Sequence, residues 1–506
     1  MEPYESYIPP QEPKPMFPTE SRELFFALGS LISGLLLVNS VYAGGFQLGF
    51  AIAAILSIVL AAGYLLCRRK ASGYPLAILA LCVVIAGSFA RTDDAFVKFV
   101  MVCFLLVGTN LGFWLLAGKN RRDPSGAGTL KDAGYTFFLL GLGQMPTATR
   151  SLSDSLRNGS AVGRKSGAVL LGLCLCVPVL AILIPLLMKA DAAFEGLLDK
   201  LPSLGAGEIL VTFLLGTPFA FWMYLRGVGL QHTPKTAPKS ARERKGINGL
   251  TVNPVVIAVS VVYEVYLISQ LAYFSGGFAG VLPKEFTLAE YARRGFFEMA
   301  WICTVNLLVI CLAIGLCSKK NGRTPIVTRL LCLFIGLVTL FMVAAASAKV
   351  FMYIGSFGLT RKRVLTEVIM LFMGLTTLIV SIWLFIPRLP YMKVVIVIAL
   401  VLAATVSWAD VDTVVARYNV EAYQSGKLET VDVGMLAELG YGAVPYIAQL
   451  RQDDDPAVRQ QAWDILLHQH CFGFAGEIQD FRDWNYAHDA ANSFLPYPIE
   501  DSQPEY

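Results

Sequence analysis

Charged residues are rare in the long apolar runs of this 506-residue chain, so the few that lie in or beside them are the first candidates for chemistry. Glu264 falls mid-way through the apolar stretch VVYEVYLISQLAYFSGG, with Gln270 six residues on. Tyr263, Tyr266, Gln270 and Tyr273 follow a three-four-three spacing that puts them on one helical face, with Glu264 flanking it. In EYARRGFFEM, Glu290, Arg294 and Glu298 are four apart, so each carboxylate comes within ion-pair reach of Arg294, with Arg293 beside it. In GLTRKRVLTEVIMLF, three cations stand in a row, Arg361, Lys362 and Arg363, and Glu367 follows four residues after Arg363.

An ionisable group inside a bilayer costs about 2.5–3.5 kcal/mol on insertion scales, so it calls for a partner or a purpose. Guanidinium and ammonium groups gathered at one end of a bundle would attract an anionic solute or a lipid headgroup. A carboxyl such as Glu264, kept neutral by desolvation, would suit carrying a proton. Glu264 or Glu298 would also suit a general base in lipid-linked group transfer. The competing reading is structural: four-spaced Glu and Arg pairs also end helices at the interface, with long Arg chains reaching water. A tyrosine stripe by itself reads as packing.

No catalytic motif accompanies these residues. Walker A, G-x-G-x-x-G, G-x-S-x-G and H-E-x-x-H patterns are missing, and all four histidines lie outside the apolar runs. We therefore expect no catalytic set, no metal site and no cofactor. The ten cysteines lie mostly within apolar runs, without paired C-x-x-C spacing, and read as small packing residues. The basic residues follow one face of a membrane, so nucleic acid is not an expected partner.

These side chains must be carried by membrane helices. The chain is 55% hydrophobic and 15% charged, well below the charged fraction of a soluble domain. Eleven apolar runs are read as spans, near 24–42, 45–66, 74–90, 95–117, 166–188, 207–225, 252–274, 295–317, 326–347, 364–386 and 392–408. Each is helical, because backbone groups in hydrocarbon must pair within their own segment. Met1–Glu20 is polar, proline-rich and acidic, and is read as a disordered cytoplasmic tail rather than a signal peptide. With that tail inside, 25 Lys and Arg residues fall on the inner side and 11 on the outer. An odd span number then sends the C-terminus out, and the Arg361–Arg363 cluster with it. The stretch Ala133–Pro146 is too short to span and reads as interfacial. The basic loop Gln231–Leu250 reads as lying against the inner leaflet.

After Trp408 the character changes. Residues 409–506 hold 17 acidic and 5 basic side chains. VDTVVARYNVEAYQSGK reads as one helix ended by Gly426. VDVGMLAELGYGAVPYIAQLRQ reads as a pair broken near Gly440–Gly442, and DDDPAVRQQAWDILLHQH as a helix with an acidic start. The expected architecture is all-α: a polytopic membrane domain over 21–408, an extracytoplasmic acidic helical domain over 409–495, and a disordered tail over 496–506.

FTLAEYARRGFFEM (286–299), GLTRKRVLTEVIMLF (358–372), VVARYNVEAYQSGKLETVDVGMLAELGYGAVPYI (414–447) and DFRDWNYAHDAA (480–491) carry a likeness. They resemble the conserved blocks of a bacterial membrane family known only as a domain of unknown function, 4153/4173. The likeness runs from about Phe89 onward. It implies a multi-pass protein of a bacterial cell membrane and supplies no activity. Three functional readings remain open. One is a transporter- or flippase-like protein with an outward cationic cavity. Another is a non-catalytic sensor or assembly factor that binds a protein partner through the C-terminal domain. The third is a membrane-embedded transferase. The candidate ligand-binding set is Glu264, Gln270, Glu290, Arg293, Arg294, Glu298, Arg361, Lys362, Arg363 and Glu367.

Overall fold

The computed structural model describes residues 21–67, 72–118, 183, 206–232, 247–278, 296–318, 324–471 and 480–494. Both expected tails, the span near 166–188, the stretch 133–146 and most of the loop 231–250 lie outside the described residues. Among the described residues every regular element is helical, and an isolated backbone bridge joins Ile247 to Cys317.

The membrane helices are α1 (Ser21–Gly44), α2 (Leu48–Leu66), α3 (Gly73–Gly87), α4 (Ala95–Leu116), α5 (Ala206–His232), α6 (Gly249–Phe278), α7 (Phe296–Leu316), α8 (Ile326–Phe357), α9 (Arg361–Phe385) and α10 (Tyr391–Ala409). Eight of the described helices are long and apolar enough to cross a membrane, against the eleven expected. Three expected spans account for the difference. One lies outside the described residues. The other two are α7, a 21-residue helix whose side chains are described mainly from Trp301 on, and α5, which carries Glu208, Pro218 and Arg226.

The helices form two groups. In the first, α1 packs on α2 and α5, and α3 packs between α2 and α4. The α1–α5 crossing is tight because both helices present small residues: a Cβ on Gly34 would lie 2.7 Å from Ala220 Cβ and 2.8 Å from the Gly216 carbonyl. In the second group α8 is central, with α6, α7 and α9 around it. Helix α10 joins the groups by packing on α9 and on α3 and α4.

The C-terminal helices are α11 (Val411–Gln424), α12 (Val433–Ala437), α13 (Gly440–Ile447), α14 (Pro456–Cys471) and α15 (Tyr486–Asn492). Gly426, with φ +73°, ends α11, and Asp432 caps α12 by accepting from Met435 N–H at 2.9 Å. Asp410, with φ 53°, makes the turn from α10 into α11. The apolar core does not stop there. Ala404 and Val406 of α10 are continuous with Val411, Val415, Leu436, Ile447 and Leu466. Burying such a side chain stabilises by about 1.5–3 kcal/mol, so this seam fastens the C-terminal helices to the bundle.

Candidate functional site

The turns after α1, α3 and α8, the start of α5 and the end of α10 meet at one end of the bundle, against the C-terminal helices. The polar residues buried there form a single connected patch.

Its centre is Arg361, the first residue of α9. Its Nε lies 2.7 Å from Asp94 Oδ2 and 2.8 Å from Asp412 Oδ1, and its Nη2 donates to Asp412 Oδ2 at 2.8 Å. The pair with Asp412 is bidentate, the geometry a guanidinium fork is built for. The two carboxylates are almost completely enclosed, at 1% and 3% side-chain exposure, against 32% for Arg361. Asp94 is also the cap of α4, accepting from Val97 N–H at 2.7 Å. Asp412 belongs to α11. One arginine thus joins the α3–α4 turn, α9 and the C-terminal helices. Burial pushes the Asp412 carboxyl up to about 6 despite the opposing pull of Arg361. Burial also raises Asp410, although Thr413 Oγ1 donates to it at 2.6 Å and Thr92 Oγ1 at 3.3 Å.

Beside this centre, Lys98 Nζ donates to Gln47 Oε1 at 2.9 Å and pairs with Asp93 at 3.2 Å. Asn485 Nδ2 donates to Gln47 Oε1 at 2.7 Å and to the Thr92 carbonyl at 3.0 Å, while its Oδ1 caps α15 through Ala487 N–H at 2.9 Å. The segment before Asn485 completes the start of α2. Leu48 and Gly49 N–H donate to the Trp484 and Arg482 carbonyls, both at 3.2 Å, which satisfies donors a helix start leaves open. Arg482 donates to Asn39 Oδ1 at 2.9 Å, pairs with Glu208 of α5, and holds Asp480 below the usual carboxylate range.

The other cations of the row are placed differently. Arg363 donates to the carbonyls of Phe357 and Gly358, the last turn of α8, and stacks at 4.2 Å over Tyr353. Lys362 is exposed. Glu367 is half-buried and faces Ser347 of α8 rather than Arg363. Glu264 is exposed on α6. Gln270 and Glu298 fall in α6 and α7, whose description there is of backbone only. Glu290, Arg293 and Arg294 lie outside the described residues. Tyr263 and Tyr266 of the tyrosine face point inward. Tyr263 Oη donates to Asn306 Oδ1, Asn306 Nδ2 donates to Thr339 Oγ1 at 2.9 Å, and Tyr266 packs on Met299. Helix α8 is the common neighbour of α6, α7 and α9.

The α8–α9 turn holds a further contact with the C-terminal helices. Asn419 of α11 accepts from Leu359 N–H at 2.8 Å and donates to the Leu359 carbonyl at 2.7 Å. Gly358 has φ +74°, and a Cβ there would collide with Asn419 Oδ1. Gly358→Ala should destabilise the protein by about 2 kcal/mol, from left-handed strain plus a disturbed Asn419 clamp. A lowered thermal midpoint of the purified full chain checks this, and an unchanged one refutes it.

Sequence reasoning passed over Asp94, Asp410, Asp412, Lys98, Gln47, Asn485 and Arg482. The one local signal was Asp94 directly before an apolar helix, a cap pattern. Among the described residues no group of His, Cys, Asp or Glu is arranged to hold a metal ion. Asp93, Asp94 and Asp412 instead face Lys98 and Arg361.

A family model matches residues 30–450, which takes in Arg361 and its carboxylate partners. The chain belongs to the family described as Domain of unknown function (DUF4153). The match begins earlier than the likeness read from the sequence, and the 480–491 block lies beyond it. No curated protein matches the chain, and no solved structure matches it.

Proposed function

We propose that this DUF4153 protein is a non-catalytic membrane sensor or assembly factor, with the C-terminal helices as its working domain and the bundle as their seat. The observation that carries this reading is the sharing of Arg361 between Asp94 and Asp412. The cation best placed to receive an external anion is spent on holding domain and bundle together. A domain held by such a network moves with the bundle, so an event at its surface is felt in the membrane. The distribution of Lys and Arg supports an N-terminus in the cytoplasm and the domain outside, in a bacterial cell membrane.

The domain's surface suits a protein partner. Residues 409–506 carry a net charge of −12, and exposed Trp463, Tyr486 and Phe481 stand among those acids. Charge complementarity favours a partner with a basic surface and apolar anchors. A photo-crosslinking residue at Trp463 or Phe481 of the full chain, in its native membranes, should give a discrete adduct. Converting Asp453, Asp454 and Asp455 to Asn should weaken it. The reading fails if no adduct forms and proteoliposomes take up inorganic phosphate or translocate phosphatidylglycerol in a manner lost on Lys362→Gln. That result would restore an outward cationic transport site. Topology has its own check: reporters active on one side only, fused after Lys245 and after Asp489, should give opposite signals.

A further inference from the structure

Among the eight described helices long and apolar enough to cross a membrane, α6 is the least covered. Only 6% of its apolar segment is buried, against 22% or more in the others. Its inner face packs on the bundle: Val256 and Ser260 are buried, and Tyr263 closes on Asn306 of α7. Its outer face carries Ile257, Val261, Glu264 and Ile268, all exposed. These four follow a four-three-four spacing, the heptad spacing of a seam that packs against another helix.

Three residues of that seam suit lipid, and the fourth does not. Glu264 stands near the centre of the apolar run 252–274, about 18 Å from one end and about 15 Å from the other at 1.5 Å per residue. A glutamate side chain does not reach water from that depth, as the long stem of a Lys or Arg does near a helix end. Acids inside membrane spans pair with one another or face a polar interior. Among the described residues none hydrogen-bonds or ion-pairs with Glu264.

A second copy supplies the partner by symmetry. Two copies in one membrane share an orientation, so a two-fold axis along the membrane normal sets each residue at the depth of its twin. The two Glu264 carboxyls then meet at the middle of the seam. One shared proton satisfies both, because a protonated carboxyl donates and its neighbour accepts. A single polar pair at the centre of an apolar seam also fixes the register of the two helices. A different protein would have to bring a donor to that same depth, whereas an identical chain carries one there.

We propose that this protein forms a two-fold symmetric dimer through α6, with Glu264 of each copy hydrogen-bonded to the partner's Glu264 inside the membrane. The dimer uses none of the residues that seat the C-terminal helices.

Full-length protein carrying one fluorophore per chain, reconstituted in phosphatidylcholine liposomes over a range of protein-to-lipid ratios, provides the test. Energy transfer between chains should rise with protein density to the plateau of a dimer. Glu264→Leu should move the midpoint to about tenfold higher density, the size of one hydrogen bond between membrane helices. Glu264→Gln keeps a donor and an acceptor and should stay within about threefold of the parent. Both changes fall at an exposed position, so the thermal midpoint at low density should match the parent's. Val261→Cys and Ile268→Cys should each crosslink to the same position of the other copy, above the background of the native cysteines. Val107→Cys, exposed on α4, should not. The proposal is overturned if the protein stays monomeric at every density, or if Glu264→Leu leaves the midpoint unchanged. It is equally overturned if a photoreactive residue at 264 labels another protein in native membranes, or labels 119–205 of its own chain, since the seam would then have a different occupant.

Discussion

Arg361→Gln unseats the C-terminal helices. The change removes the one cation that lies between Asp94 and Asp412 and leaves two carboxylates enclosed at 1% and 3% exposure without it. Breaking a buried pair from one side costs about 3–5 kcal/mol, because the remaining charge stays buried. The low end applies here, about 3 kcal/mol, because Asp412 already sits near pH 6 and escapes by taking up a proton. The expected result in purified full-length protein is an early thermal transition and rapid proteolysis within 411–471 at neutral pH. Arg361→Lys should recover only part of the loss, since one ammonium cannot reproduce the bidentate fork to Asp412 and also reach Asp94. The exposed neighbour gives the contrast: Lys362→Gln should change stability by no more than about 0.5 kcal/mol. If Arg361→Gln and Lys362→Gln behave alike, the cation row is not the fastening of the domain.

Asp412→Asn has the opposite expected sign. Asp412 gains its proton near pH 6 when folded and near 3.9 when unfolded. Between those values the folded protein holds more protons than the unfolded one. The stability associated with this group is therefore complete below about pH 4 and is lost as pH rises through 6. Two units correspond to at most about 3 kcal/mol. An asparagine keeps the shape and one acceptor for Arg361 but carries no charge to desolvate. Asp412→Asn should therefore raise the thermal midpoint at pH 7.5, change it little at pH 4, and flatten the dependence between. A lower midpoint at pH 7.5 would mean that the Arg361–Asp412 attraction exceeds the cost of burial. The double variant Arg361→Gln with Asp412→Asn should be more stable than Arg361→Gln alone, and the non-additivity measures the pair directly.

Composition, hydropathy and local punctuation were enough for the class of the protein and for many of its helices. A bilayer leaves backbone groups no partner but their own helix, so long apolar runs translate directly into spans. Gly426 as a helix stop, the break before Gly440 and the acidic start at Asp453–Pro456 were also legible, because capping is decided within a few residues. The sequence likewise located the rare charges near the membrane, including Arg361, and suggested an anion for them. What it could not supply was the partner of each charge. Asp94 and Arg361 are separated by 267 positions, and Arg361 and Asp412 by 51, and no periodicity relates residues on different helices. Tertiary packing decided that Arg361 meets two carboxylates, that Arg363 turns back onto the last turn of α8, and that Tyr263 closes on Asn306. Helix formation depends on short-range hydrogen bonds that a sequence displays, whereas a site depends on which helix faces come together, a property of the whole fold.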